Sequence, residues 1–317
     1  MFLRLSVPPE MSLNTPLLNA QDIEHLIMTA QASVGAVTYR DVHGHRAGDW
    51  PGTRLGQGLD FEESRPYSPS DAVKDMDWRS TARLGQAYVK TYREERQPMA
   101  VIVIDRTSSM RFGSRIRLKL TQAARAAIWL GTQVLAQGAA LTLVHWDEQD
   151  DWHGPFHGQE QWLAAIERLR APAPPISSSG LDSARDERRL QQLAEETPMG
   201  ARVVLLSDFL WMSEAHQHSA ALLANERQVC ALRISDPLER AFEPSPWVSL
   251  AGRTAGATYW VNRHTSPWGD QLSQVISRRR DQQRIWLEHV GIQLTDLCST
   301  QSDLSVLSKL PFGGFGS

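Results

Sequence analysis

Asp105 and Asp208 are the residues from which chemistry is most readily built. Asp105 ends the apolar run at residues 99–105 and opens an Asp-x-Thr-x-Ser string with Thr107 and Ser109; Asp208 follows a shorter apolar run at residues 201–207. Alternate residues of an extended segment point to the same side, so one carboxylate and two hydroxyls can converge, and a neighbouring strand can deliver the second carboxylate. Such an all-oxygen set suits a small, hard divalent ion, Mg²⁺ or Mn²⁺, which prefers oxygen ligands in octahedral geometry and keeps several waters. Two acids on adjacent strand ends repel unless a cation or a shared proton relieves them. The plainer alternative is that each carboxylate caps the helix after its strand.

The elements that must hold these groups can be read from the hydrophobic pattern. MAVIVID at residues 99–105 is a continuous β-branched run of the kind buried on both sheet faces. A helix is expected over 115–137, a strand over 140–146 and a helix over 159–169. Residues 181–196 read as a helix, 201–207 as a strand, 213–226 as a helix and 228–234 as a strand, with a further strand at 256–261 and a long helix at 270–289. This alternation argues for a doubly wound α/β domain with a mostly parallel sheet, in which ligands bind beyond the carboxyl ends of the strands. The chain divides on this reading into an extension at 1–98, the α/β domain at 99–264, and a C-terminal helix and tail at 265–317. The extension has one helix, which Asn19 or Asp22 caps, and short strands at 36–39 and 87–92.

Composition narrows the function. Lys and Arg number 33 against 36 Asp and Glu, a net charge of -3 that gives no general pull toward nucleic acid. The 11 tryptophans are scattered through the chain, which favours core packing over a base-stacking platform. Two distant cysteines, Cys230 and Cys298, form neither a disulfide framework nor a zinc spacing, and no run of about 18 apolar residues calls for a membrane span. A cytoplasmic protein without direct membrane insertion is expected. The run Arg278-Arg279-Arg280 reads as a solvated helix face or a contact for an acidic partner.

The Asp105, Thr107, Ser109 and Asp208 pattern resembles the metal-ion-dependent adhesion site of a von Willebrand factor A domain. That resemblance implies a third hydroxyl on a loop before a helix, where Ser179 stands, with Ser177 and Ser178 as rivals. A second set of residues precedes the sheet. Gly56-x-Gly58-Leu-Asp60-Phe61, Arg65-x-Tyr67-x-Pro69-x-Asp71 and Asp77-Trp78-Arg79-x-Thr81-Ala82-Arg83 follow one another in order. Together they resemble the signature of the bacterial family called domain of unknown function fifty-eight, whose members carry a von Willebrand A-like domain and pair with MoxR-type AAA+ ATPases. Ser70, Lys74 and Asp60 depart from its usual Gly, Arg and Glu. The residues themselves suggest that Arg65, Asp71, Asp77 and Arg83 form an ion-pair and hydrogen-bond core docking the extension to the sheet, with Trp78 as apolar anchor.

The resemblance implies a binding module and not an enzyme: an adaptor or co-chaperone of a MoxR-type ATPase, taking a partner's carboxylate at the metal and serving protein clients. The alternatives are a Mg²⁺-dependent hydrolase or phosphotransferase using Asp105, or a metal-free scaffold. Against the phosphotransferase, Thr107 stands where haloacid-dehalogenase-like enzymes carry a second acid, and no nucleotide-binding glycine loop is present.

Overall fold

The structure, a computed structural model, describes residues 17–40, 59–68, 71–94, 98–172, 183–240, 248–251, 258–261 and 268–310. In chain order its elements are α1 (Ala20–Arg40), β1 (Leu59–Pro66), α2 (Trp78–Leu84), β2 (Tyr88–Glu94), β3 (Met99–Asp105), α3 (Lys119–Ala136), β4 (Ala140–Trp146) and β5 (Trp152–Phe156). There follow α4 (Gln159–Arg170), α5 (Ser183–Glu196), β6 (Arg202–Ser207), α6 (Gln217–Ala224), β7 (Gln228–Ser235), α7 (Pro237–Arg240), β8 (Val248–Ala251), β9 (Thr258–Val261), α8 (Trp268–His289) and β10 (Gln293–Cys298). The chain forms two compact units, residues 46–97 and the remainder.

The larger unit is built on a six-stranded sheet in the order β10-β7-β6-β3-β4-β5, parallel except for β5. From β3 the chain winds outward to β4 and β5, then returns to β6 and winds the other way. The strand order therefore reverses between β3 and β6, the crevice where doubly wound sheets hold ligands. Alternation along β3 divides the core: Ala100, Ile102 and Ile104 pack with α1, α3 and α4, whereas Val101 and Val103 pack with α5, α6 and α8. Burial on both faces explains why the central strands read as unbroken apolar runs.

Helix α3 is buried almost throughout, from Lys119 to Val134. Gln122 ties it to the end of β10 and the chain that follows, its Nε2 donating to the carbonyls of Cys298 (3.1 Å) and Gln301 (2.8 Å). Gly131 is required by packing, since a Cβ there would lie 2.4 Å from the Trp162 ring. Trp162 in turn donates Nε1–H to Thr132 Oγ1 at 3.1 Å.

Four expectations are corrected. Residues 36–39 lie in α1, capped by Asn19 through the Asp22 amide (2.7 Å), because extending a formed helix adds a hydrogen bond per residue and outweighs local β preference. That helix packs on α3, so the extension at 1–98 is not one body. The sheet also continues past residue 264, since β10 pairs in parallel with β7. The Arg278–280 run is no uniformly solvated face: Arg280, with Arg233 and Arg284, surrounds Asp296, and Arg279 donates to the Met212 carbonyl.

In the smaller unit β1 and β2 pair antiparallel with a bulge between Phe61 and Glu63. Arg65 grips Asp71 through both guanidinium nitrogens (2.9 and 2.5 Å). Asp77 caps α2, accepting from the amides of Arg79 and Ser80 (both 3.1 Å) and from the hydroxyls of Ser80 (2.7 Å) and Ser64 (2.5 Å). Those bonds hold its carboxyl well below the usual range. Arg83 is exposed, and Trp78 is 65% exposed, which corrects the expectation of a buried apolar anchor. As the first residue of α2, Trp78 follows the cap without being enclosed by it.

Candidate functional site

The crevice between β3 and β6 brings Asp105, Thr107, Ser109 and Asp208 to one edge of the sheet. Asp105 is 1% exposed. Its Oδ1 accepts the Thr107 amide at 2.9 Å, and its Oδ2 accepts the Ser207 hydroxyl at 2.5 Å. Ser207 Oγ is itself an acceptor for Phe209 N–H (2.8 Å) and Trp211 Nε1–H (3.0 Å), so its one proton is committed to Asp105. Beyond the strand Thr107 Oγ1 and Ser109 Oγ stand 3.3 Å apart.

Asp208 leaves β6 through a sharp turn, with Phe209 at φ +57°, a conformation costly for a bulky residue. The carboxylate stabilises this turn by accepting Leu210 N–H at 3.0 Å. Its other oxygen meets Lys119 Nζ at 2.7 Å, and Lys119 also meets Glu239 Oε1 at 2.5 Å. Lys119 is buried at the first residue of α3, where the helix dipole disfavours a cation, and its ammonium lies 5.9 Å from the Phe112 ring centre. Burial lowers its pKa, but Asp208 and Glu239 more than offset that, leaving it above the ordinary lysine value and charged.

This cluster is short of positive charge. Lys119 pairs with Asp208 and Glu239 but not with Asp105, the Arg189 guanidinium acts on Asp105 only at a distance, and burial followed by repulsion from Asp208 pushes the Asp105 carboxyl up to about 6. Other acids at this edge are fully provided for. Asp236, beyond β7, accepts from the Ser114 amide (2.9 Å) and hydroxyl, Leu238 N–H (2.9 Å) and Ser299 Oγ (3.1 Å). Asp147, beyond β4, has its carboxylate 3.7 Å from Arg106 and accepting Gln149 N–H at 3.0 Å, while its carbonyl accepts from Arg185 and Arg189, of which Arg189 also meets Asp150 at 2.7 Å and Asp186 at 3.0 Å.

The donors fit a divalent cation. Two carboxylates and a hydroxyl pair offer oxygen alone, the donor type that such an ion prefers. Ser179 and its rivals Ser177 and Ser178 lie outside the described residues. Helix capping does not account for the pair: the Asp105 and Asp208 oxygens instead bond to the turns immediately after their strands, to Ser207 and to Lys119. Lys119, Ser207 and Glu239 were not anticipated, although the four strand-end acids Asp105, Asp147, Asp208 and Asp236 signal that nearby cations are needed.

A doubly wound sheet with a carboxylate and hydroxyl cluster at its switch point defines the class of this molecule. Residues 63–282 match the family described as "Protein of unknown function DUF58", and the chain belongs to that family. Uncharacterized proteins of Mycobacterium tuberculosis (strain ATCC 25618 / H37Rv) and Mycobacterium bovis are 29% identical over 205 residues, a stretch covering 60% of this chain. The chain spans 59% of the length of these relatives. Among solved structures, the conserved hypothetical protein BatB from Bacteroides thetaiotaomicron aligns at 13% identity and TM-score 0.40, covering 67% of this chain and 96% of that one. A von Willebrand factor type A structure from Catenulispora acidiphila aligns at 17% identity and TM-score 0.31, covering 47% and 35%. No helix among the described residues is long and apolar enough to cross a membrane.

Proposed function

We propose that the protein is a divalent-cation-dependent docking module for other proteins. The observation that carries this reading is the pairing of Asp105 and Asp208 at the β3/β6 switch point with too little positive charge to balance them. Asp105, Thr107, Ser109 and Asp208 would hold Mg²⁺ or Mn²⁺, which when bound supplies a positive charge that a partner's acidic side chain can share. Exposed Phe112, Ile116 and Leu210 near these residues in the chain offer apolar contact area. The family resemblance, by itself, makes a MoxR-type AAA+ ATPase or a client protein it acts on the partner, with the adaptor working in the cytoplasm.

Binding is favoured over catalysis by the state of Asp105. Asp105 is 1% exposed with its Oδ2 held by Ser207, so a bulky phosphoryl or acyl group has no open line of attack to it, whereas a small ion can use the lone pairs its oxygens retain. The test is complex formation with a MoxR-type ATPase from the same cell, comparing wild type and Asp105→Ala with Mg²⁺ and with EDTA. The proposal expects loss of binding in EDTA and in the variant while both remain folded. Equal affinity under all four conditions excludes the metal-dependent mechanism.

A further inference from the structure

Lys119 is a buried cation that the sequence pattern did not assign to this site. Its ammonium is held 2.7 Å from Asp208 Oδ2, on a carboxylate that the metal reading also requires. It has a second partner in Glu239, 2.5 Å away on α7, and Glu239 is the more open of the two acids, with its side chain 26% exposed against 4% for Asp208. Glu239 is in turn fixed by the Asp236 amide, which donates to its Oε2 at 3.0 Å. The lysine thus stands between one carboxylate that faces the β3/β6 crevice and another that does not belong to the proposed ligand set.

We infer that Lys119 is a tethered counter-ion that competes with the divalent cation for Asp208, its ammonium withdrawing onto Glu239 when the metal is held. This inference rests on the metal reading of the preceding subsection and adds to it a residue that sets the affinity. An ammonium and a divalent ion that share one buried carboxylate repel strongly where water does not screen them. Leaving Asp208 uncovered in the metal-free protein is equally unfavourable, because a buried carboxylate without a partner bears its full desolvation cost. Lys119 therefore lets the fold persist without metal, and the same contact keeps metal affinity low. Glu239 makes the exchange feasible, since the ammonium keeps one buried ionic partner as it leaves the other.

The experiment is direct titration of the full chain with Mn²⁺, followed by calorimetry and by the electron paramagnetic resonance of the free ion. Lys119→Met is expected to bind Mn²⁺ on the order of tenfold more tightly than wild type, a difference of about 1.4 kcal/mol. Lys119→Arg, which keeps the charge, is expected to bind no more tightly than wild type. A tighter site is an outcome that simple damage to the fold does not produce. Equal or weaker binding by a folded Lys119→Met overturns the inference and leaves the metal reading standing, whereas absence of Mn²⁺ binding in every variant overturns both. Should Lys119→Met not fold, the wild-type ¹⁵Nζ resonance of Lys119 is followed during Mg²⁺ addition. A shift that saturates with metal binding, measured by calorimetry on the same sample, supports the exchange. A resonance unchanged at metal saturation overturns it.

Discussion

The carboxyl edge of the sheet contains two acidic clusters that differ in how they are balanced. Around Asp147 and Asp150, Arg185 and Arg189 supply forked guanidinium groups that bond both carboxylate and backbone oxygens, and Arg189 lies over the Trp146 ring with its carbon 5.9 Å from the centroid. Around Asp105 and Asp208 the ammonium of Lys119 serves Asp208 and Glu239, and Asp105, held by a hydroxyl and an amide, is driven toward protonation. The first cluster is closed and joins the β4–β5 turn to α5. The second is open to further positive charge. Acid count alone does not separate architecture from site; the balance of partners does.

The largest test is made on the closed cluster. Arg189→Ala should cost about 3–5 kcal/mol in denaturant unfolding, because it breaks the buried Arg189–Asp186 ion pair. Mn²⁺ binding at the other cluster should survive in the folded fraction, and a stability change near zero would erase the distinction between the two regions.

At the open cluster, saturating Mg²⁺ should stabilise the wild type by about 2.7 kcal/mol at a hundred times Kd, with Asp105→Ala showing no such gain in a melting scan. The pH response without metal is the next in size. Because the folded carboxyl of Asp105 titrates near 6, above its ordinary 3.8, the folded state binds more protons than the unfolded state between these values. Stability must therefore fall as pH rises through that window. Relative to Asp105→Ala, the wild type should lose stability on going from acid to neutral pH, and parallel pH profiles of the two proteins would show that Asp105 is already balanced. The smallest effect is expected at Leu210, which is 40% exposed. Leu210→Ser should change stability by less than about 0.5 kcal/mol while weakening partner binding; unchanged partner affinity would remove this residue from the docking surface.

Most of the sheet was legible because its central strands are buried on both faces and so appear as uninterrupted apolar runs. β5 and β10 were not. β5 is Trp-His-Gly-Pro-Phe, with Gly and Pro in its middle, and β10 carries Thr295 and Asp296. Both are edge strands, where tertiary pairing admits residues that local preference would reject. The residues chosen for the site follow strands, and position along a strand is readable from the sequence. Lys119 lies 89 positions from Asp208, and which cation reaches which acid is decided by strand order and helix placement. Trp78 shows the reverse case: its size suggested an anchor, yet hydrophobicity states a preference for burial and not a location.

The spacing of the open cluster has a consequence for how the molecule is made. Ser207 reaches Asp105 across 102 positions, and Glu239 reaches Lys119 across 120. On the ribosome, Asp105 and Lys119 emerge long before the segments that complete their surroundings. A nascent chain that has not been extended past Glu239 presents only scattered acidic and basic side chains. The assembled cluster is therefore a late product of synthesis, and anything that recognises it selects chains extended past Glu239 over shorter ones.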